Sequence, residues 1–420
     1  MRFRNFRLFW LGQLVSVVGT SIQVVAEGWL IYDLTGSTFW LGMVGLLGLL
    51  PVVPVSIFGG LLIDRVPRRR LILLTQVLLM AQALLFGLLA WRGTIQLWQI
   101  IGLYFLFGAI LAIDHPARRA FLVELVGKDE LANAVALNAT LFNMSSLIGY
   151  ALAGLLIAAI GVGVTMMFNG LTYLAPIAAL LLIRMADRPA ESSAHKPGNR
   201  PADTPAIPSA APPTAPPTTP PRLKVALLEG VVSLWKQPAV LGVMSLMAVV
   251  GGLSYPVFGM MPAFAESVMG VGARGLGLLM AAGALGSVIG TVIVARVGSR
   301  QRGRMLAAVA IALPVLMVGF AQSRALWLVC LLLVGIGAAI LVLQSLAVTI
   351  VQIQTEDRVR GRVMTLYSQL HAGSDTLGNV GVGALAVYVG LPLALAAAGV
   401  GALLYAAVLW LRMPSVARYD

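Results

Sequence analysis

The chain has 420 residues, of which 59% are hydrophobic and only 11% charged, and it carries a net charge of +13. A soluble domain holds roughly a quarter charged residues, so this much apolar sequence cannot be hidden in one aqueous core and must face lipid. The basic excess is spread over short segments rather than gathered in one patch, which argues against a nucleic-acid partner.

The basic N-terminus (Arg2, Arg4, Arg7) leads into an apolar stretch that is too long for a cleaved leader and lacks a small-residue cleavage site. It reads as the first membrane helix, 6–32. Further helices are predicted over 39–63, 71–91, 96–114, 131–159, 163–184, 239–264, 275–296, 304–321, 325–352, 361–388 and 391–412. A helical span needs roughly 20 apolar residues. The uncharged run 131–183 is therefore two helices, folded back near Gly161 and Gly163, and 376–411 turns near Gly390 and Pro392. Barrel strands would alternate apolar and polar residues, and these runs do not. The expected fold class is an all-α membrane protein of twelve transmembrane helices.

Pro189 to Pro221 holds 11 of the 22 prolines, separated by Ala, Ser and Thr. Such a stretch is an extended, solvated linker. It divides the chain into two six-helix bundles, 1–188 and 222–420. The halves echo each other: an offset of 228 places Asp129 on Asp357, and an offset of 229 places Gly149 on Gly378 and Gly154 on Gly383. Two parallel repeats with a site between them suit alternating access. With the N-terminus inside, 26 of the 29 Lys and Arg fall in cytoplasmic segments, and only Arg92, Arg274 and Arg324 fall outside. The positive-inside rule then places both termini and the linker in the cytoplasm.

After the second helix comes Gly60-Leu-Leu-Ile-Asp64-Arg65-Val-Pro67-Arg68-Arg69-Arg70. A basic loop alone explains topology but does not require Asp64. A carboxylate among arginines at a helix end can cap the positive N-terminus of a neighbouring helix, as a latch. This loop resembles the signature between helices two and three of the major facilitator superfamily, with Pro67 where the signature usually has glycine. Three stretches narrow the resemblance: GTSIQVVAEGWLIYDLTGS (19–37), DHPARRAFLVELVGKDELANAVALN (114–138) and QTEDRVRGRVMTLYS (354–368). They are similar to the enterobactin-exporter-like branch, the transmembrane secretion effectors. The resemblance covers nearly all of the chain outside the linker. It implies the major facilitator fold, in which two pseudo-symmetric bundles rock about a central cavity, and a place in a bacterial inner membrane. It also implies a cytoplasmic gate in which Asp64, with Gly60 and Arg65, meets the start of helix eleven near Gly361 and Arg362 when the cavity faces outward, while Arg68 reaches Asp114. The helix-five antiporter motif is incomplete. Gly149 and Gly154 are present, but Tyr150 stands at the proline position. Gly286 and Gly290 read as a packing pair.

Polar groups in the spans are few. Gln13, Ser16, Thr20, Gln23 and Glu27 recur at intervals of three and four, so they share one face of helix one, turned to a cavity or another helix. His371, Asp375 and Asn379 do the same on helix eleven. A charge at mid-membrane costs roughly 2.5–3.5 kcal/mol on insertion scales, so Glu27 and Asp375, with His371, are the candidates for proton coupling. The alternative is a protonated acid or a structural His–Asp pair. Gln23, Thr20, Asn138, Asn143, Gln344, Gln352 and Asn379 are candidates for the cavity lining. Trp29 and Tyr104 join them, as stacking groups or as packing. No Walker A loop, GxSxG elbow or HExxH motif occurs, and the three histidines lie far apart. No enzyme, cofactor or metal site is expected. The partners expected are a small-molecule substrate, protons and membrane lipid, with the chain acting as a monomer. The expected function is export of a small molecule by a secondary transporter. A lipid or lysophospholipid translocator, and a non-transporting scaffold or sensor on the same fold, are the other readings.

Overall fold

The computed structural model describes residues 4–52, 54–55, 65–127, 130–183, 237–296, 298 and 301–412. The regular elements among the described residues are all helical. Helix α1 (Arg4–Thr35) is followed by the short α2 (Thr38–Leu49), α3 (Arg68–Trp91) and α4 (Leu97–Val126). Helix α4 runs about three turns past the predicted end, continuing as helix through Asp114 and Pro116 into its polar tail. Helix α5 (Leu131–Thr172) contains a hairpin at Gly161, whose φ of 77° is open to glycine and strained for other residues. Its returning arm continues as α6 (Leu174–Leu182). After the linker come α8 (Gly272–Arg296), α9 (Arg302–Gln322), α10 (Leu326–Gln354), α11 (Asp357–Val389) and α12 (Leu391–Arg412). Gly390, at φ 83°, makes the turn between the last two.

The seventh element departs from the single helix expected over 239–264. Helix α7 (Pro238–Leu246) passes into a π-helical turn at Met247–Gly251. Short turns at Gly252–Ser254, Pro256–Gly259 and Met261–Ala263 follow, then a second π-helical turn at Phe264–Val268. Pro256 and Pro262 supply the cause: each lacks an N–H, and its ring crowds the preceding turn.

Nine helices among the described residues are long and apolar enough to cross a membrane, and Thr38–Leu49 is a shorter apolar helix. Their backbones approach closely where glycines face one another. In the second half of the chain, Gly286 and Gly290 of α8 press on Val334 and Ala338 of α10, the packing geometry small residues permit. In the first half, Gly149 of α5 lies against Val18 and Ser21 of α1.

Helices from before and after the linker also touch. A Cβ on Gly154 of α5 would lie 2.6 Å from the Cα of Gly277 in α8. One on Gly42 of α2 would lie 2.5 Å from the carbonyl oxygen of Asn379 in α11, and one on Gly28 of α1 would lie 3.1 Å from Pro262. Among the described residues these glycine approaches between the halves lie toward the end of the molecule that carries Gly36. At the opposite end, around Arg68, a Cβ on Gly361 would meet no atom within 4 Å.

Candidate functional site

Two adjoining cavities lie between the helices of the two halves. The smaller, ≈ 190 Å³, is lined by Glu27, Tyr104, Phe258, Pro262, Thr376 and Asn379, among others. The larger, ≈ 400 Å³, has Ser146, Tyr150, Tyr255, Ser287, Gln344 and Asn379 in its wall. Val24, Phe258, Gly259, Met280 and Asn379 border both.

The α1 stripe resolves into a network that faces mainly other helices of the first half. Gln23 is fully buried. Its Oε1 accepts from Asn169 Nδ2, and its Nε2 donates to Glu27 Oε1 at 2.6 Å and to Gln82 Oε1 at 3.4 Å. Gln82 Nε2 donates in turn to the carbonyl of Leu103. Gln23 is thus set among α1, α3 and α5 rather than on the cavity wall expected of it. Thr20 lies similarly, donating to the Ser16 carbonyl and meeting the Tyr173 hydroxyl at 3.3 Å. Glu27, at the end of the stripe, lines the smaller cavity. It is 2% exposed, and its Oε2 has no partner. Tyr104 joins it there, its ring against Gly48.

On α11, His371 Nδ1 stands 3.3 Å from Asp375 Oδ2. Asn379 Nδ2 donates to the Asp375 carbonyl at 2.8 Å. The rings of Tyr255 and Tyr367 lie 6.3 and 6.4 Å from the imidazole. Asp375 Oδ1 and Asn379 Oδ1 are buried without partners. The next residue, Thr376, and Asn379 carry this face into the cavities. Gln344 lies in the wall of the larger cavity.

At the Arg68 end, one expected contact is corrected. Arg68 pairs with Glu124, not with Asp114. Asp114 is buried and taken up locally: Arg118 Nε reaches its Oδ2 at 2.5 Å, Thr75 Oγ1 donates to its Oδ1 at 2.6 Å, and Gln76 Nε2 at 3.1 Å. Arg118 lies one helical turn away on the same face, so it outcompetes an arginine on another helix. Gly361 and Arg65 are exposed and Arg362 is half-buried. The expectations for Gly60, Asp64 and the side chain of Asn143 fall outside the described residues. Trp29 packs half-buried against the main core, Asn138 is half-buried in α5, and Gln352 is exposed near the end of α10. Gln82 and Asn169 escaped the sequence reading. The signal was available, since each is an amide within an uncharged apolar run. Tyr255, which lines the larger cavity beside Tyr150, was missed as well.

A family model described as transmembrane secretion effector matches residues 1–196 and 222–419. Macrolide efflux protein A of Streptococcus pyogenes is 26% identical over 162 residues, which is 37% of this chain and 39% of that protein. The match therefore spans well under half of that relative. Enterobactin exporter EntS of Shigella boydii serotype 18 is 28% identical over 427 residues, covering 99% of this chain and 93% of the exporter. In fold, the chain is similar to a bacterial homologue of the human lysosomal transporter Spinster, solved inward-facing and unoccupied. The TM-score is 0.70 at 14% identity, over 99% of this chain and 98% of that one.

Proposed function

The chain belongs to the transmembrane secretion effector family of the major facilitator superfamily, and from that premise we propose that it is a proton-coupled exporter of a small molecule. In this reading, bundles of six helices each, residues 1–188 and 222–420, alternate about the paired cavities, with 189–221 as a cytoplasmic linker. The observation that carries it is the placing of two acids on helices that face each other across the cavities. Glu27 is in the wall of the smaller one, and Asp375 is on the α11 face whose neighbours Thr376 and Asn379 line it. A buried acid that takes a proton sheds the cost of a charge in low dielectric, so each step of a transport cycle can be tied to protonation.

The charge distribution supports a direction. Positive residues gather at the Arg68 end, which the positive-inside rule places in the cytoplasm of a bacterial inner membrane. The glycine contacts between the halves lie toward the other end. On that orientation the arrangement is inward-facing, ready to load substrate from the cell. Monomeric action suits a fold whose site lies between its own two halves.

A lipid translocator would be favoured by a lateral opening into a wide apolar cavity. An apolar groove of ≈ 560 Å³ does run beside the broken seventh helix, α11 and α12, but it shares no lining residue with the central cavities. An acid in the cavity wall likewise weighs against a scaffold whose cavity is filled.

The test is efflux from proteoliposomes holding the purified protein. A macrolide, a catecholate siderophore and a panel of lipophilic dyes would be loaded, with and without an imposed pH gradient. Gradient-dependent, ionophore-sensitive efflux of any of these is expected. Facilitated movement indifferent to the gradient for every compound would overturn proton coupling.

A further inference from the structure

We infer that the smaller cavity is an ammonium site: Glu27 receives the charged head of an organic monocation, whose apolar body lies in the larger cavity. This names the substrate class for the exporter described above and rests on that reading for its physiological use.

The hydrogen bonds orient the acid. Asn169 donates to Gln23 Oε1, which fixes the Gln23 amide so that Nε2 points toward Glu27 and Gln82. Gln82 presents its Oε1 to Gln23 and directs its Nε2 at the Leu103 carbonyl. One carboxylate oxygen of Glu27 is therefore held by a donor delivered through three amides. The other, Oε2, is buried and unpartnered. A network that supplies one oxygen and leaves its twin unmet positions the carboxylate for a ligand rather than for packing.

The second orphan in the same wall has the same polarity. Asn379 gives its Nδ2 to the Asp375 carbonyl, so Oδ1 is the free atom, buried beside Gly259. Both unmet atoms are acceptors, and they border one cavity that no Lys, Arg or His among the described residues lines. An anion or an acceptor-rich neutral molecule leaves both unsatisfied. A protonated amine satisfies both and neutralises the carboxylate. Tyr104 and Phe258 line this cavity too, and aromatic rings attract cations. The adjoining wall, with Tyr150, Tyr255, Phe258, Met280 and Ile340, suits an aromatic or aliphatic body.

The experiment uses the full chain, purified in detergent, with 2-(1-naphthyl)ethylamine, a cation at neutral pH, and its neutral N-acetyl derivative as probes. Binding is read by fluorescence anisotropy. The wild type should prefer the amine. Glu27→Gln, which keeps the side chain's shape, should weaken amine binding by about thirty-fold or more and leave the amide unchanged. Glu27→Asp keeps the charge and should keep the preference. Melting curves identify any variant that fails to fold, and Glu27→Asp then decides the matter alone: a folded Asp variant without charge preference overturns the site. Equal binding of amine and amide by the wild type, or a preference that survives Glu27→Gln, also overturns it, and then any effect of Glu27 on transport belongs to protons only. The two proposals fail separately. Gradient-driven efflux of neutral compounds without amine preference removes the ammonium site and leaves the exporter. Amine binding without efflux does the reverse.

Discussion

The hydroxyl of Thr38, at the start of α2, donates to the carbonyl of Gly383 in α11 at 2.8 Å, and a Cβ on Gly383 would lie 2.5 Å from the carbonyl oxygen of Thr38. Two helices from opposite halves thus come into close backbone approach, bridged by one hydroxyl and with no long side chain between them. Gly154 and Gly277 make the corresponding contact between α5 and α8. On the alternating-access reading, contacts this close belong to one state and so bias the balance between states. Gly154→Leu should hold this end apart. Overpacking costs roughly 1–3 kcal/mol, enough to move a balanced equilibrium about 5- to 150-fold. The readout is alkylation from outside of a cysteine introduced at Ser287, in a Cys330→Ala background. Labelling should rise and transport should fall. Unchanged labelling with unchanged transport would show that α5 and α8 do not form the closure.

Two charged pairs at the Arg68 end should behave in opposite ways. Arg68 and Glu124 are about one-third exposed, at 36% and 34%, and such pairs contribute about 0–1 kcal/mol. Asp114 is 1% exposed and holds Arg118, Thr75 and Gln76. Asp114→Asn leaves the Arg118 charge without its partner, at a cost of roughly 3–5 kcal/mol. Thermal melting in detergent should drop sharply for Asp114→Asn and barely for Arg68→Ala. Similar losses for both would mean that exposure does not rank these pairs.

Orientation is testable with single cysteines, again without Cys330. The count of positive residues places Ser209 inside and Thr94 outside. An impermeant maleimide added to intact cells should modify a cysteine at Thr94 and spare one at Ser209. External modification at Ser209 would invert the topology and, with it, the proposed direction of transport.

The turns at Gly161 and Gly390 were legible because a long uncharged run has to fold back, and glycine is the residue that permits it. The acids were legible because charge is rare in such runs. The breaks in the seventh helix were not, since its stretch is apolar throughout and only Pro256 and Pro262 hint at them. Gln23 shows a different limit. A spacing of three and four says that residues share a face, but not which neighbour that face meets, and the answer lies in Gln82 and Asn169, far away in sequence. The pairing of Asp114 with Arg118 rather than Arg68 reflects competition between a partner one turn away and a partner on another helix, which a motif alone does not rank.

Coupling is the last point to test, and α11 supplies the parts. His371 and Asp375 stand 3.3 Å apart on one face, and Asn379 ties down the Asp375 carbonyl while bordering both cavities. A group that carries protons must change charge as access alternates. A carboxylate beside an imidazole can do so, because the imidazole takes up or returns the proton within the pair. The energetics set a measurable ceiling. A tenfold proton gradient is worth about 1.4 kcal/mol, so one-for-one exchange sustains at most about a tenfold substrate gradient. The wild type in proteoliposomes should approach that ceiling when the far side is acid, and should lose it when the gradient is collapsed. Asp375→Asn should abolish accumulation yet still exchange labelled for unlabelled substrate, since the neutral amide keeps the cavity's shape and removes only the acid. His371→Gln should slow coupled transport by about ten- to a hundredfold while leaving exchange. Glu27→Gln, which removes the other acid of the cavities, should likewise reduce gradient-driven accumulation and, in addition, weaken amine binding. If Asp375→Asn still builds the full gradient with unchanged pH dependence, the proton is carried elsewhere and the His371–Asp375 pair is structural.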